Sequence, residues 1–190
     1  MPPLRQGRLI TLMTQSLAKI YLKARPELKK ELGRDNDLAL PKITKVVVSS
    51  GTGKAKDKKR NELVADRLAK ITGQKASPRG AKQSIAAFKL REGDIIGYAV
   101  TLRGARMWSF LDRLINVAIP RMRDFKGLSE GSIDEIGNLT LGFKEQTIFP
   151  ETADEDLRDV FGLSVTIVTT AKTKTEAAAL FRALGFPFKR

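Results

Sequence analysis

The chain has 190 residues, 42% of them apolar, and its 35 Lys and Arg against 21 Asp and Glu give a net charge of +14. That length and apolar content suffice to bury a core, and we expect a single folded domain over residues 1–190. Because the sequence contains neither Cys nor His, it excludes disulfides, thiolate-held zinc or iron–sulfur sites, and catalysis by a thiolate or an imidazole.

The N-terminal region, residues 1–40, is predicted to be helical. Apolar side chains recur at helical spacing over residues 9–22. We expect Pro26 to interrupt or end that helix, since proline has no N–H to donate to the preceding turn. A second short helix over 27–32 should then stop at Gly33.

Four segments alternate between apolar and polar side chains, as half-buried strands do. They are residues 42–50, 95–103, 138–143 and 163–170. Three further helices are indicated by apolar stripes or caps. They are the stripe over 63–71 that Gly73 ends, residues 105–118 before Pro120, and a helix that begins at the capping box Thr173-Lys174-Thr175-Glu176.

The stretch 75–93 is predicted to be a basic, partly mobile loop flanked by strands. A loop of that length in a compact domain is uncommon, and it is usually functional when it is not disordered. Its five basic residues are Lys75, Arg79, Lys82, Lys89 and Arg91. A second, polar loop is predicted over 124–137.

Each predicted strand has one apolar face that the helices can cover, which indicates a two-layer α+β fold with a mostly antiparallel sheet. The other face of the sheet then stays open. It carries short polar and basic side chains, namely Lys45, Ser49, Thr101, Arg103, Asn138, Thr140, Thr166 and Thr170. Such groups can bind ribose 2′-hydroxyls and phosphates, although an ordinary solvated face of an antiparallel sheet is also polar.

The positive charge is concentrated in the first half of the chain. Residues 1–91 contain 22 basic and 7 acidic side chains, whereas residues 92–190 contain 13 and 14. A phosphate backbone held against the first half would explain this polarity through counterion release, and a solvated basic face is the alternative. Since aromatic residues are few, we expect RNA recognition to depend on backbone shape and charge more than on base stacking.

Two phosphate-binding motifs are incomplete. Gly51-Thr52-Gly53-Lys54 is not a P-loop, because Val48 stands where the motif needs its first glycine and Ala55 where it needs a Ser or Thr. It is not a dinucleotide fingerprint either, because Lys56 stands where that motif needs a further glycine. The acidic cluster 154–159 matches no calcium-loop spacing, so we expect a solvated helix face there and neither a metal nor a cofactor. The sequence has no run of 18 apolar residues and no signal-peptide core, and we expect a cytosolic protein.

Short motifs in a fixed order carry a resemblance to a known family. They are SIAAFKLREG (84–93), VTLRG (100–104), FLDRLI (110–115), IPR (119–121), RDF (123–125), KEQ (144–146), IFPE (148–151) and VTTAKT (168–173). The chain from Leu40 to Phe188 resembles the large-subunit ribosomal protein L-five family, in its bacterial or organellar form.

This resemblance implies a non-enzymatic protein that binds 5S rRNA and helps attach it in the central protuberance. It also implies a bent antiparallel sheet with helices on one face, a mobile loop that contacts P-site tRNA, and an intersubunit bridge to the small-subunit head. The implied partners are 5S rRNA, 23S rRNA, P-site tRNA, the neighbouring 5S-binding ribosomal proteins and the small-subunit head protein S-thirteen, with no membrane.

The 5S rRNA contacts of the family correspond here to Ser49, Gln74 and Thr101, and the basic residues Lys45 and Arg103 of the polar face are added to that set. Gln74 and Thr101 are the usual residues of the family. Ser49 stands where an asparagine is usual, and a hydroxyl offers fewer hydrogen bonds than an amide.

The same resemblance places the tRNA-facing loop at 79–93. Its candidate contacts are Arg79, Lys82, Gln83, Ser84, Lys89 and Arg91. The loop departs from the family pattern at Gly80, Gln83 and Ala87, where Arg, Lys and Gly are usual. A contact with the small subunit is expected around the polar loop, at Asp124, Lys126, Ser132 and Asn138.

Two other functions are compatible with the residues alone. A nonribosomal module that binds or chaperones structured RNA would use the same charge, but without preference for 5S rRNA. A metal-assisted nuclease would need carboxylates such as Asp154, Asp156 or Asp159.

Overall fold

The computed structural model describes residues 16–53, 58–123, 125–152 and 160–189. In these ranges the helices are α1 (Leu17–Leu32), α2 (Lys58–Thr72), α3 (Gly104–Arg113) and α4 (Lys174–Ala183). The strands are β1 (Ile43–Gly51), β2 (Ser77–Gly80), β3 (Ile95–Leu102), β4 (Leu139–Phe143) and β5 (Leu163–Thr169). They form one antiparallel sheet in the order β2-β3-β1-β5-β4, which confirms the α+β class.

Helix α1 runs through Pro26 without a break, so the predicted interruption is wrong. The first part of the predicted helix, residues 9–15, lies outside the described residues. A proline inside a helix removes one backbone hydrogen bond, but the buried face of α1 extends on both sides of it, from Leu17 to Leu28. Packing of that face outweighs the lost bond. Gly33 ends the helix as predicted, with φ at 60°, and its N–H donates to the carbonyl of Lys29.

Strand β2 lies where the sequence predicted only a loop. Its sequence, Ser-Pro-Arg-Gly, has no apolar alternation and poor strand propensity. The strand exists because β3 offers it hydrogen-bonding partners: Ser77 pairs with Ala99 and Arg79 with Gly97. The register shifts after Arg79, at an irregularity before Gly80.

The remaining elements agree with their predictions to within a few residues, with two local differences. The helix predicted over 105–118 is α3 followed by a π-helical turn, Leu114–Ala118. At the start of α4, the Thr173 hydroxyl accepts the N–H of Glu176 at 3.3 Å, as a capping box requires. The Glu176 carboxylate, however, accepts the N–H of Lys172 at 3.1 Å instead of reaching back to Thr173.

By backbone contacts, the chain divides into two compact units. Unit 1 comprises residues 1–45, 103–140 and 167–190, and unit 2 comprises 46–102 and 141–166. In unit 1, α1 packs against α3 and α4 around fully buried side chains that include Leu28, Phe110 and Phe181. In unit 2, α2 packs on β3, with Leu68 and Ile71 fully buried. The expectation of a single domain stays a prediction.

Candidate nucleic-acid interface

One face of the sheet in unit 2 is buried, and the other, here called the open face, is partly exposed: Ser77 is exposed, Ser49 and Thr101 are half-buried, and Ala99 between them is buried. Val48 pairs with Val100, and both are buried. The next pair, Ser49 with Ala99, therefore lies on the opposite face, because successive residues of a strand point to opposite sides. Ser77 pairs with Ala99 from the other side, so Ser77, Ala99 and Ser49 form a row across three strands.

The hydroxyl groups of Ser49 and Thr101 are available on this open face. Both side chains are half-buried, and neither hydroxyl has a partner among the described residues. Ser50 shows the contrast on the buried face, since its hydroxyl donates to the carbonyl of Gly162 at 2.7 Å. The open face thus presents donors and acceptors that the protein itself does not use.

Gln74 is held beside Thr101 by the end of helix α2. Gly73, with φ at 69°, turns the chain out of the helix, and the N–H of Gln74 contacts the Thr72 hydroxyl. The Gln74 amide then donates to the backbone carbonyl of Thr101 at 3.4 Å. This contact fixes the amide nitrogen and leaves the amide oxygen without a partner among the described residues.

The five predicted 5S rRNA contacts divide between the two units. Ser49, Gln74 and Thr101 belong to unit 2, whereas Lys45 and Arg103 belong to unit 1. Lys45 is a half-buried residue of β1. Strand β3 ends before Arg103, which is instead the exposed residue that precedes α3. Neither cation has an ion pair within the described part of the chain.

The predicted tRNA loop is a hydrogen-bonded extension of the β2–β3 hairpin, here called the hairpin extension (residues 81–94). At its base, the N–H of Ala81 donates to the carbonyl of Asp94 at 2.8 Å, and that of Gly93 to the carbonyl of Ala81 at 3.0 Å. Further out, Ile85 and Leu90 exchange two backbone hydrogen bonds. The extension therefore has backbone hydrogen bonds at its base and one isolated pair near its tip; its mobility stays a prediction.

Exposed cations cover the hairpin extension. Lys82, Lys89 and Arg91 are exposed and have no ion pair among the described residues, and Arg79 is exposed in the adjoining strand β2. Gln83 is also exposed and unpartnered within the described ranges. The structure thus places these predicted contacts on one hairpin.

Two internal hydrogen bonds give other polar groups of the hairpin extension a structural role. The Ser84 hydroxyl accepts the N–H of Glu92 at 2.9 Å, so one of its acceptor positions is used within the hairpin. The Asp94 carboxylate accepts the N–H of Arg91 at 2.9 Å. The exposed carboxylates of Glu92 and Asp94 thus lie on the same hairpin as the unpaired cations.

The predicted small-subunit contacts lie in three different settings in unit 1. Lys126 is exposed, Ser132 is half-buried at the end of a single 3-10 turn, and Asp124 lies outside the described residues. Asn138 is engaged within the protein: its amide donates to the Asp134 carboxylate at 2.9 Å, and its oxygen accepts the N–H of Thr169 at 3.2 Å.

No metal or phosphate-loop site emerges in the described residues. They contain no group of three or more His, Cys, Asp or Glu side chains that could hold a metal ion. Gly51 ends strand β1 and Gly53 adopts φ at 57°, which suits a turn off the strand. The acidic cluster 154–159 falls outside the described part of the chain. Within the described ranges, every helix is too short or too polar to cross a membrane.

Two family models cover most of the sequence. The model of ribosomal protein L5 matches residues 36–91, and the model of the C-terminus of the same ribosomal family matches residues 95–188. The chain belongs to the ribosomal protein L5 family. This family consists of structural, non-enzymatic proteins.

Bacterial relatives match the chain over most of its length. The large ribosomal subunit protein uL5 of Ureaplasma urealyticum is 51% identical over 169 residues, which cover 88% of this chain and 92% of the relative. The protein of the same name from Thermus thermophilus is 49% identical over 90% of this chain and 95% of its own. The uL5 protein of Mesoplasma florum is 47% identical over a region that covers 97% of this chain and 99% of the relative. These likenesses confirm that the chain belongs to the bacterial type of the family and that it is a ribosomal component of the cytoplasm.

Sequence reasoning missed Ser77 as a member of the open face, because β2 carries no strand pattern of its own. The L5-family resemblance covered this region, but the row of Ser77, Ala99 and Ser49 depends on strand pairing.

Proposed function

We propose that this ribosomal protein is built into the large subunit, where the open sheet face of unit 2 binds 5S rRNA and helps attach it in the central protuberance. The observation that carries the proposal is the placement of Ser49, Gln74 and Thr101. Their side chains offer two hydroxyls and one amide oxygen that no described residue satisfies. Groups of this type bind ribose 2′-hydroxyls and phosphates.

The charge distribution supports the same partner. Residues 1–91 carry 22 basic and 7 acidic side chains, so the positive half of the chain contains Ser49 and Gln74. An RNA backbone bound there would release counterions, and its affinity would fall as salt rises. Small polar groups with nearby cations favour recognition by backbone contacts.

Two further contacts extend the proposal. The hairpin extension contacts P-site tRNA through its exposed cations, Lys82, Lys89 and Arg91, together with Arg79 and Gln83. The exposed Lys126 and the half-buried Ser132 of unit 1 are available for the small-subunit head and its protein S-thirteen. The proposed neighbours in the large subunit are 23S rRNA and the other 5S-binding proteins.

The test is a binding titration with 5S rRNA and a control RNA of the same length over a series of salt concentrations. We expect a strong preference for 5S rRNA that survives physiological salt. Equal, steeply salt-dependent binding to both RNAs would contradict the proposal and favour a general RNA-binding module.

A matched pair of lysine variants locates the charge contact. Lys45→Ala should reduce the salt slope of 5S rRNA binding by about 1, because one phosphate contact is lost. Lys174→Ala removes an exposed lysine in the first turn of α4 and should leave the slope unchanged. The same reduction in both variants would show that the slope reflects net charge alone.

A further inference from the structure

The tip of the hairpin extension is a four-residue turn, 86–89. Inside the Ile85–Leu90 pair, the N–H of Phe88 donates to the carbonyl of Ile85 at 3.2 Å, and the N–H of Lys89 to the carbonyl of Ala86 at 2.9 Å. Lys89 has a φ of 52°, a backbone angle that residues other than glycine rarely adopt. The backbone of the tip is thus held in one specific turn.

This turn exposes an aromatic ring. All nine phenylalanines of the chain lie within the described ranges, and only Phe88 is exposed, at 55%. The two residues before it are the alanines Ala86 and Ala87, whose side chains end at Cβ and are too small to cover a ring. Ile85 beside it is 43% exposed. The protein therefore leaves a large apolar surface in water at the tip, although burying it would be favourable.

The charges around the ring point to RNA as the occupant. Lys82, Lys89 and Arg91 lie within a few residues of Phe88 and lack an ion pair among the described residues. Protein interfaces are depleted of lysine, whereas surfaces that bind single-stranded nucleic acid combine cations with exposed aromatic rings. The combination at this tip matches the second kind of surface.

We propose that Phe88 stacks on an unpaired RNA base while the neighbouring cations hold the adjoining phosphates. The inference rests on the proposed contact between the hairpin extension and RNA, and adds to it a stacking residue. A base-paired helix buries the faces of its bases in the stack, so a protruding ring can reach only an unpaired or flipped base. This role would add one stacking contact to a recognition that is expected to depend mainly on backbone shape and charge.

The experiment uses the full-length protein and an RNA hairpin whose seven-nucleotide loop carries 2-aminopurine, titrated at low salt. The control RNA is the same strand annealed to its full complement. Phe88→Ala should weaken binding to the hairpin about tenfold and abolish the fluorescence quenching that stacking causes. Phe88→Leu, which stays apolar, should behave like Phe88→Ala, and Phe88→Tyr should retain affinity and quenching.

The variants separate stacking from general adhesion. Ile95→Ala, a change at another exposed apolar residue, should have no effect on hairpin binding. Full affinity of Phe88→Leu, equal losses on hairpin and duplex, or no preference of the natural protein for the hairpin would each overturn the proposal.

Two further binding measurements, with a tRNA transcript and with 5S rRNA, identify which RNA supplies the base. They also separate the stacking proposal from the proposed binding of 5S rRNA. A tRNA transcript should lose affinity with Phe88→Ala, while 5S rRNA should not, since its proposed site is the sheet face. Loss with 5S rRNA alone would support stacking but assign the base to 5S rRNA. If Lys82→Ala weakens tRNA binding and Phe88→Ala weakens binding to neither tRNA nor 5S rRNA, the RNA contact stands and the stacking inference fails. If the natural protein shows no preference for 5S rRNA, the proposed 5S function fails, independently of Phe88.

Discussion

The side-chain amide of Gln74 donates to the backbone carbonyl of Thr101 at 3.4 Å, which joins the end of helix α2 to strand β3. The two residues are 27 positions apart in the sequence. Their contact engages the amide nitrogen and leaves the amide oxygen and the Thr101 hydroxyl without partners among the described residues. This pair is the part of the candidate interface that variants can test most directly.

Replacing both side chains should weaken 5S rRNA binding without unfolding the protein. Gln74→Ala with Thr101→Ala removes two hydrogen-bonding groups, each contributing about 0.5–1.5 kcal/mol, so we expect about tenfold lower affinity. The measurement is a 5S rRNA titration together with thermal unfolding. Gln83→Ala with Ser132→Ala changes two polar groups elsewhere and should leave 5S affinity unchanged. Natural affinity in the first double variant would remove the open face from the site.

A methyl group at Gly97 should destabilise the sheet beneath the proposed interface. A Cβ at this position would lie 2.7 Å from the carbonyl oxygen of Ser50 in the paired strand, closer than real Cβ atoms approach. We expect Gly97→Ala to cost about 1–3 kcal/mol in urea unfolding, because the two backbones must separate. Gly142→Ala is the control, since a Cβ there meets nothing within 4 Å. Equal stabilities of the two variants would refute this account.

The turn at Lys89 should become more stable when glycine replaces the lysine. At φ 52° a side chain costs about 1–2 kcal/mol, which exceeds the extra chain entropy that glycine loses on folding, about 0.4–1 kcal/mol. Hydrogen exchange at the amides of Ile85 and Leu90 should therefore slow about twofold in Lys89→Gly. Lys82→Gly removes the same charge without relieving strain, so the exchange of the Ile85 and Leu90 amides should accelerate in that variant. Faster exchange in both variants would mean that the strain at Lys89 is negligible.

Asn138 should contribute to stability more than to partner binding. Asn138→Ala removes the acceptor of the Thr169 N–H and the donor to Asp134, and leaving a part-buried N–H unpaired costs about 1–3 kcal/mol. Lys126→Ala and Ser132→Ala remove side chains without such partners among the described residues and should change unfolding by less than about 0.5 kcal/mol. Urea unfolding of the three variants gives the comparison. A neutral Asn138→Ala would restore Asn138 as a residue free to contact a partner.

The ion pair between Arg34 and Glu176 should matter more than the one between Lys29 and Asp37. The Glu176 side chain is 15% exposed and also accepts the N–H of Lys172, whereas Asp37 is 53% exposed. We expect Arg34→Ala to cost about 1–2 kcal/mol in unfolding, because a carboxylate that is largely buried loses its partner. Lys29→Ala should cost at most about 0.5 kcal/mol. Equal costs would show that solvent screens both pairs alike.

Periodicity predicted most elements because local sequence and burial agree there. Strand β5 alternates buried and half-buried residues from Leu163 to Thr169, as its sequence indicates. The prediction failed where distant partners outweigh local preference. Pro26 stays inside α1 because the helix buries a face on both sides of it, and Ser77–Gly80 becomes a strand because β3 pairs with it.

The residues of the candidate site also divide into those that local sequence predicts and those that depend on the folded structure. Ser49 and Thr101 were predictable as open-face residues from alternation alone, and the cations of 79–91 from composition. The role of Asn138 was not, because its partners Asp134 and Thr169 are chosen by the packing of the surrounding loop. The exposure of Phe88 was equally hidden, since most phenylalanines are buried and only the turn places this one at a tip.

The sequence by itself determined the family, the α+β class, the polarity of charge and which strand faces are polar, because these properties follow from residue identity and spacing. Only the tertiary structure decided that Gln74 meets Thr101, that β2 joins the sheet beside Ala99, and that Phe88 is left in water. The first two depend on contacts between residues far apart in the chain, whose free energies are set by pairing and burial rather than by local preference. The third depends on the conformation of the short turn at 86–89, which leaves the ring 55% exposed.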